Sequence, residues 1–226
     1  MKTDETKIIN GEIFYRWKNP DGTLGGWVSG DARVYGNAQV SGDARVYGNA
    51  QVSGDARVYG NAQVYGNAQV SGDARVYGNA QVYGNARVYG NAWVYGNARV
   101  YGNAQVSGDA QVSGDARVYG NAQVYGNAQV YGDARVYGNA QVYGNARVYG
   151  NAWVYGDAWD KSPLYIQGSV HAATNYKQGH IKIGCEEHTF SEWLINYEAI
   201  GKEHNYTDSE IAEYKKIIDL FVAIGR

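Results

Sequence analysis

The residues Cys185-Glu186-Glu187-His188 form the cluster in this 226-residue sequence that most resembles a site. A Cys-x-x-His pair supplies a thiolate and an imidazole, two ordinary zinc ligands, and His171, His180 or His204 could add others. Structural zinc usually draws on two such pairs, and here there is one. The same two residues could act as nucleophile and base, although the sequence offers no third group to orient the histidine. A third reading makes Cys185 a small buried residue at a junction and His188 the lead-in to a helix. All three stay open at this point.

A second chemistry lies in Arg99, Arg117 and Arg135, which recur at a constant interval, with Asp115 and Asp133 nearby. If the fold stacks these arginines, the column is either a solvated Arg/Asp lattice or a strip that binds an anion such as a phosphate. Whether they stack depends on the element that carries them.

That element is a repeat. Val recurs every six residues from Val28 to Val154, followed two positions later by Gly, then Asn or Asp, then Ala. The word is V-[Y/S]-G-[N/D]-A-[Q/R/W]. In Ala-x-Val-x the side chains alternate, so Ala and Val share one face while Gln, Arg or Trp shares the other with Tyr or Ser. Gly-Asn or Gly-Asp supplies the corner, because these residues tolerate positive φ. A four-residue strand and a two-residue corner, always turning the same way, close a three-sided coil in three words. Stacked coils then form a parallel β-helix with about 4.8 Å between strands.

Read in columns, one face carries Ser29, Tyr47, Tyr65, Tyr83, Tyr101, Tyr119, Tyr137 and Tyr155. Stacking within this ladder stiffens the prism, and Tyr83, Tyr101 and Tyr119 are also candidates for an aromatic wall that receives a partner. Trp93, Trp153 and Trp159 fall on three different faces. Trp153 and Trp159 lie beside the C-terminal end and are expected to pack under it. Trp93, in mid-prism, is the candidate contact for a partner.

The spacing of Val and Ala resembles the hexapeptide repeat of left-handed β-helices, and the handedness is an implication of that resemblance. Acyltransferases of this kind use a catalytic histidine and loops that interrupt the coils. Residues 28–159 contain neither His nor an interruption, so an acetyltransferase-like role would rest on His171, His180 or His188 at the end of the prism. The stretches LGGWVSGDARVYGNA and IKIGCEEHT-x3-W together resemble a group of phage and prophage proteins with Tyr-rich hexapeptide repeats. That resemblance implies a viral or mobile-element origin.

The ends break the period. Residues 1–27 read as an N-terminal cap, with Ile13–Val28 forming a strand, an Asn19-Pro20-Asp21-Gly22 turn and a return strand. Residues 28–159 are the β-helix. Residues 160–185 read as a degenerate coil and junction with Ile166 and Val170 inward. Residues 186–226 read as a helical hairpin that seals the prism or makes a homo-oligomer. In it Trp193, Leu194, Tyr197 and Ile200 share a helical face, Gly201 is the stop, and Thr207-Asp208-Ser209-Glu210 is a capping box.

Twenty basic and 22 acidic residues leave a net charge of −2, without the basic footprint of a nucleic-acid binder. The single Cys suits a reducing compartment, and no run has the length of a signal peptide or a membrane span. The expectation is therefore a mainly β, cytoplasmic chain with no cofactor, no DNA and no membrane. It is a non-enzymatic binding or scaffold protein for a protein partner, or a sequestering protein for a small phosphorylated ligand.

Overall fold

The computed structural model describes residues 1–156, 158–159 and 162–224, without the side chains of 158 and 159. Among these, the repeat forms three parallel sheets, each built from every third word, and the coil climbs about seven turns. Register partners such as Arg99 and Arg117, or Val100 and Val118, are in line. Val and Ala fill the interior, and from Ala44 to Val142 every one is fully buried. Burying a Val is worth about 1.5–3 kcal/mol, but a lone coil would leave its backbone edges unpaired, so stability comes from stacking.

The expected four-residue strands are shorter, mostly two residues such as Gln81–Val82. The chain bends as soon as it leaves Val, yet hydrogen bonding to the next coil continues around the corner. Tyr101 N–H donates to Val118 O at 3.0 Å and Asn103 N–H to Gly120 O at 2.8 Å. Glycine alone takes the left-handed corner, as at Gly102 with φ 70°. The following Asn instead builds ladders, as in Asn67 to Asn85 and Asn85 to Asn103, at 3.1 Å each.

The N-terminal cap is a three-stranded antiparallel meander, Lys2–Ile9, Glu12–Lys18 and Leu24–Ser29, that continues the tyrosine-ladder sheet. The hairpin over Ile13–Val28 is as expected. The additional strand Lys2–Ile9 is joined to it by Asn10-Gly11, both at positive φ (52° and 81°). Such an Asn-Gly turn is a strong hairpin signal. Asn19, 5% exposed, accepts a hydrogen bond from the N–H of Val40, whose strand is the last in its sheet. The return strand lies so close that a Cβ on Gly25 would stand 1.7 Å from Val40 O.

The C-terminal end differs from the degenerate coil expected for residues 160–185. Already at Ala158–Trp159 the pairing is displaced by one residue, Gln141 facing Ala158 rather than Trp159. The strands Tyr165–Gln167, Ala172–Lys177, His180–Ile183 and Glu186–Thr189 then form an antiparallel sheet. Val170 is exposed at its first turn, and Ile166 packs into the sheet's own core rather than the prism's. Without the Gly-Asn corner every six residues, the chain reverses first at residues 168–171 and again at Gly179 and Gly184 instead of coiling on.

Helices α1 (Phe190–Glu203) and α2 (Asp208–Ile224) pack on this sheet, sharing a core of Ile181, Ile183, Trp193, Tyr214, Ile218 and Phe221. The sheet, rather than the helices, meets the last rung of the prism at Trp153–Tyr155. The capping box at Thr207 is present, and Thr189 with Glu192 forms a second. Gly201 is not a stop. It is buried within α1 against Ile211, where a Cβ would come within 2.7 Å, and the helix ends at His204 with Asn205 at φ 59°. Neither helix is long and apolar enough to cross a membrane.

Candidate functional site

The parallel register brings six of the seven surface candidates onto one face. Arg99, Arg117 and Arg135 are consecutive partners in the sheet whose next outward column is the tyrosine ladder. Rings from Tyr47 through Tyr137 stack nearly parallel with centroids 4.8 to 5.3 Å apart. Phe14 of the cap begins the column, edge-on to Tyr47. Stacking uses up the ring faces, so this surface offers phenol edges and hydroxyls.

Those hydroxyls are not equivalent. Lower in the column Tyr47 donates to Gln63 one coil on, at 3.1 Å. At Tyr83, Tyr101 and Tyr119 the corresponding residues are Arg99, Arg117 and Arg135, and a guanidinium donates but cannot accept. Among the described residues, these three hydroxyls have no acceptor. Burial and neighbouring phenols push the Tyr83 and Tyr119 hydroxyls above the ordinary tyrosine range, against the lowering charges of Arg99 and Arg117, or of Arg135 and Arg117.

The expected Arg/Asp lattice is not what forms. Asp115 accepts from Asn97 at 3.0 Å, extending an asparagine ladder. Among the described residues, none of the three arginines makes an ion pair. Arg135 lies over the Trp153 ring at 4.7 Å, with Lys182 of the C-terminal sheet 4.9 Å from the same ring. Trp153 is thus under the cap, while the side chain of Trp159 lies outside the described residues. Trp93 stands apart on another sheet, with Arg75 at 5.0 Å over its ring and Tyr77 edge-on at 6.4 Å. It is half-buried between them rather than uncovered.

At the C-terminal junction, Cys185 is exposed in the turn after Ile183. Along the next strand Glu186 and His188 lie on one side, and His188 Nε2 meets Glu186 Oε2 at 3.0 Å with its ring edge-on to Trp193. His204, at the end of α1, brings Nε2 to Glu186 Oε1 at 3.1 Å. These two contacts hold the Glu186 carboxyl below the usual carboxylate range. Cys185 Sγ, Glu186 and His204 place ligand atoms within 4.8 Å of one another. The sequence pair Cys185–His188 is thus linked through Glu186, and of the three histidines named as further ligands His204 is the one whose ring nitrogen the fold brings to this cluster. Of the other histidines, His171 Nδ1 lies 2.5 Å from the Tyr206 hydroxyl and His180 Nδ1 2.9 Å from the Gln178 carbonyl.

Comparison with solved structures finds similarity to an Arabidopsis UDP-N-acetylglucosamine acyltransferase. It has 10% identity over 66% of this chain and 72% of that one, at a TM-score of 0.25. No curated protein matches. The YdcK Beta solenoid repeat matches eight times, over residues 38–54, 50–66, 68–81, 80–96, 94–108, 110–126, 128–140 and 140–156. The matches span just over half of the chain and coincide with the stacked coils, so this protein belongs to the YdcK β-solenoid repeat family.

Proposed function

We propose that this β-solenoid is a binding or scaffold protein whose working surface is the tyrosine–arginine face, and that the partner is an extended acidic protein segment. The observation that carries this reading is the row of guanidinia at Arg99 and Arg117, without ion pairs among the described residues, beside tyrosine hydroxyls that find no acceptor there. A carboxylate satisfies both, accepting charge-assisted bonds from arginine and a bond from the phenol. The surface is a flat sheet with its aromatic faces already stacked, which suits a long partner better than a stacked base. The resemblance of the words to Tyr-rich phage and prophage proteins supports a setting in which that partner is a host or viral protein in the cytoplasm. Exposed Ile195 and Leu220 on the two helices support homo-oligomer formation there, which would repeat the strip.

Sequestration of a small phosphorylated, nucleotide-like ligand, in an anti-defence role, is the second reading. The same unpaired arginines favour it, because phosphate also binds guanidinium bidentately.

Calorimetric titration with oligoglutamate and with nucleoside di- and triphosphates tests both. The Arg99→Gln/Arg117→Gln variant is expected to lose at least about tenfold in affinity for the ligand that binds, with its melting temperature unchanged. Equal affinity in the variant would overturn the assignment of this face. Binding of nucleotides but not oligoglutamate would replace the first reading with the second.

A further inference from the structure

The junction at the C-terminal sheet carries an inference independent of the solenoid face. We propose that Cys185, Glu186 and His204 bind one zinc-type transition-metal dication, with His188 positioning the carboxylate. The three donors come from a turn, the start of a strand and the end of α1. Cys185 Sγ is 3.8 Å from Glu186 Oε1, the oxygen that His204 Nε2 approaches at 3.1 Å. All three ligand atoms lie within 4.8 Å of one another, a spacing that small side-chain rotations convert into coordination of a shared ion about 2.0–2.3 Å from each.

The chemistry of the set matches the ion. Thiolate, imidazole and carboxylate together favour a borderline-soft dication over magnesium or calcium, which prefer oxygen alone. His188 Nε2 holds the other carboxylate oxygen at 3.0 Å, the arrangement by which an outer partner aims a ligand. A cleft of about 40 Å³ adjoins the site, lined by Cys185, His204, His171 and Tyr206. It leaves room for a water as fourth ligand, as in open zinc sites. The exposure of Cys185 and His204 gives a dissolved ion access. Binding converts the thiol to thiolate and releases its proton to solvent.

The test is titration of the full chain with cobalt(II), followed by competition with zinc(II). The expected result is one ion per chain, with a thiolate-to-cobalt charge-transfer band that zinc abolishes. Cys185→Ser should remove the band, and His204→Ala should weaken binding at least about tenfold. His188→Ala should weaken it less than His204→Ala does. Melting in a chelator should leave the Cys185→Ser variant indistinguishable from the parent, since that side chain is exposed, whereas added zinc should raise the melting temperature of the parent only. Failure to bind cobalt, a band that survives Cys185→Ser, or equal losses from His188→Ala and His204→Ala would each overturn the assignment. None of these results depends on whether the arginine face binds a partner.

Discussion

Asn19 shows how much of a repeat protein rests on residues outside the repeat. The strand of Val40 is the last in its sheet, and at that open edge Asn19 takes the Val40 N–H at 2.9 Å. Asn19→Ala would leave that buried donor without a partner, so we expect a loss of about 1–3 kcal/mol in denaturant unfolding. A second residue-scale consequence concerns Tyr206, whose hydroxyl is pushed up to about 12, chiefly by burial and then by Tyr214. A phenol with a raised folded-state value favours the native state while it stays protonated. That stability is complete below the unfolded value of about 10 and lost as pH rises toward 12. The melting temperature of the C-terminal unit should therefore fall between about pH 10 and 12. Tyr206→Phe should flatten that fall, which a thermal series followed by tryptophan fluorescence would show.

At the scale of elements, legibility followed the period. From Val28 to Val154 the inward and outward sides, the columns and the stacking of Arg99, Arg117 and Arg135 could all be read, because a fixed word returns each residue to the same place. The coil's end could not. Past Trp159 the chain reverses at residues 168–171 and then at Gly179 and Gly184, in turns that lack the repeat's corner word. Gly201 misled for a related reason: it is small to admit Ile211 rather than to end α1. Two signals went unread although they were present, the Asn10-Gly11 turn and the Thr189–Glu192 capping box. Deletion tests the register directly. Removing one full coil of 18 residues, such as 84–101, keeps every ladder in phase. That chain loses Trp93 but should fold with a melting temperature within a few degrees of the parent's. Removing a single six-residue word from mid-prism should turn the two caps by a third of a revolution relative to each other. A single-word deletion as stable as the full-coil deletion would show that the caps' relative angle is immaterial.

At the scale of the whole molecule, the chain carries a net charge of −2 yet gathers unpaired arginines on one flat face of a rigid solenoid. The cap sheets bound that face at both ends, through Phe14 on Tyr47 and through Lys182 and Arg135 on Trp153. A partner of the proposed kind would therefore be bounded along the axis, and its binding should weaken with salt because Arg99 is exposed and Arg117 partly so. Partner choice was out of reach of the sequence because it depends on what the guanidinia lack, and that appears only once Asp115 is seen bonded to Asn97. The most direct measurement is a crystal structure of the full chain with bound oligoglutamate. The account predicts carboxylates bridging Arg99 and Arg117 beside the Tyr83 and Tyr101 hydroxyls; a peptide seated instead on the Trp93 face or in the C-terminal cleft would contradict it.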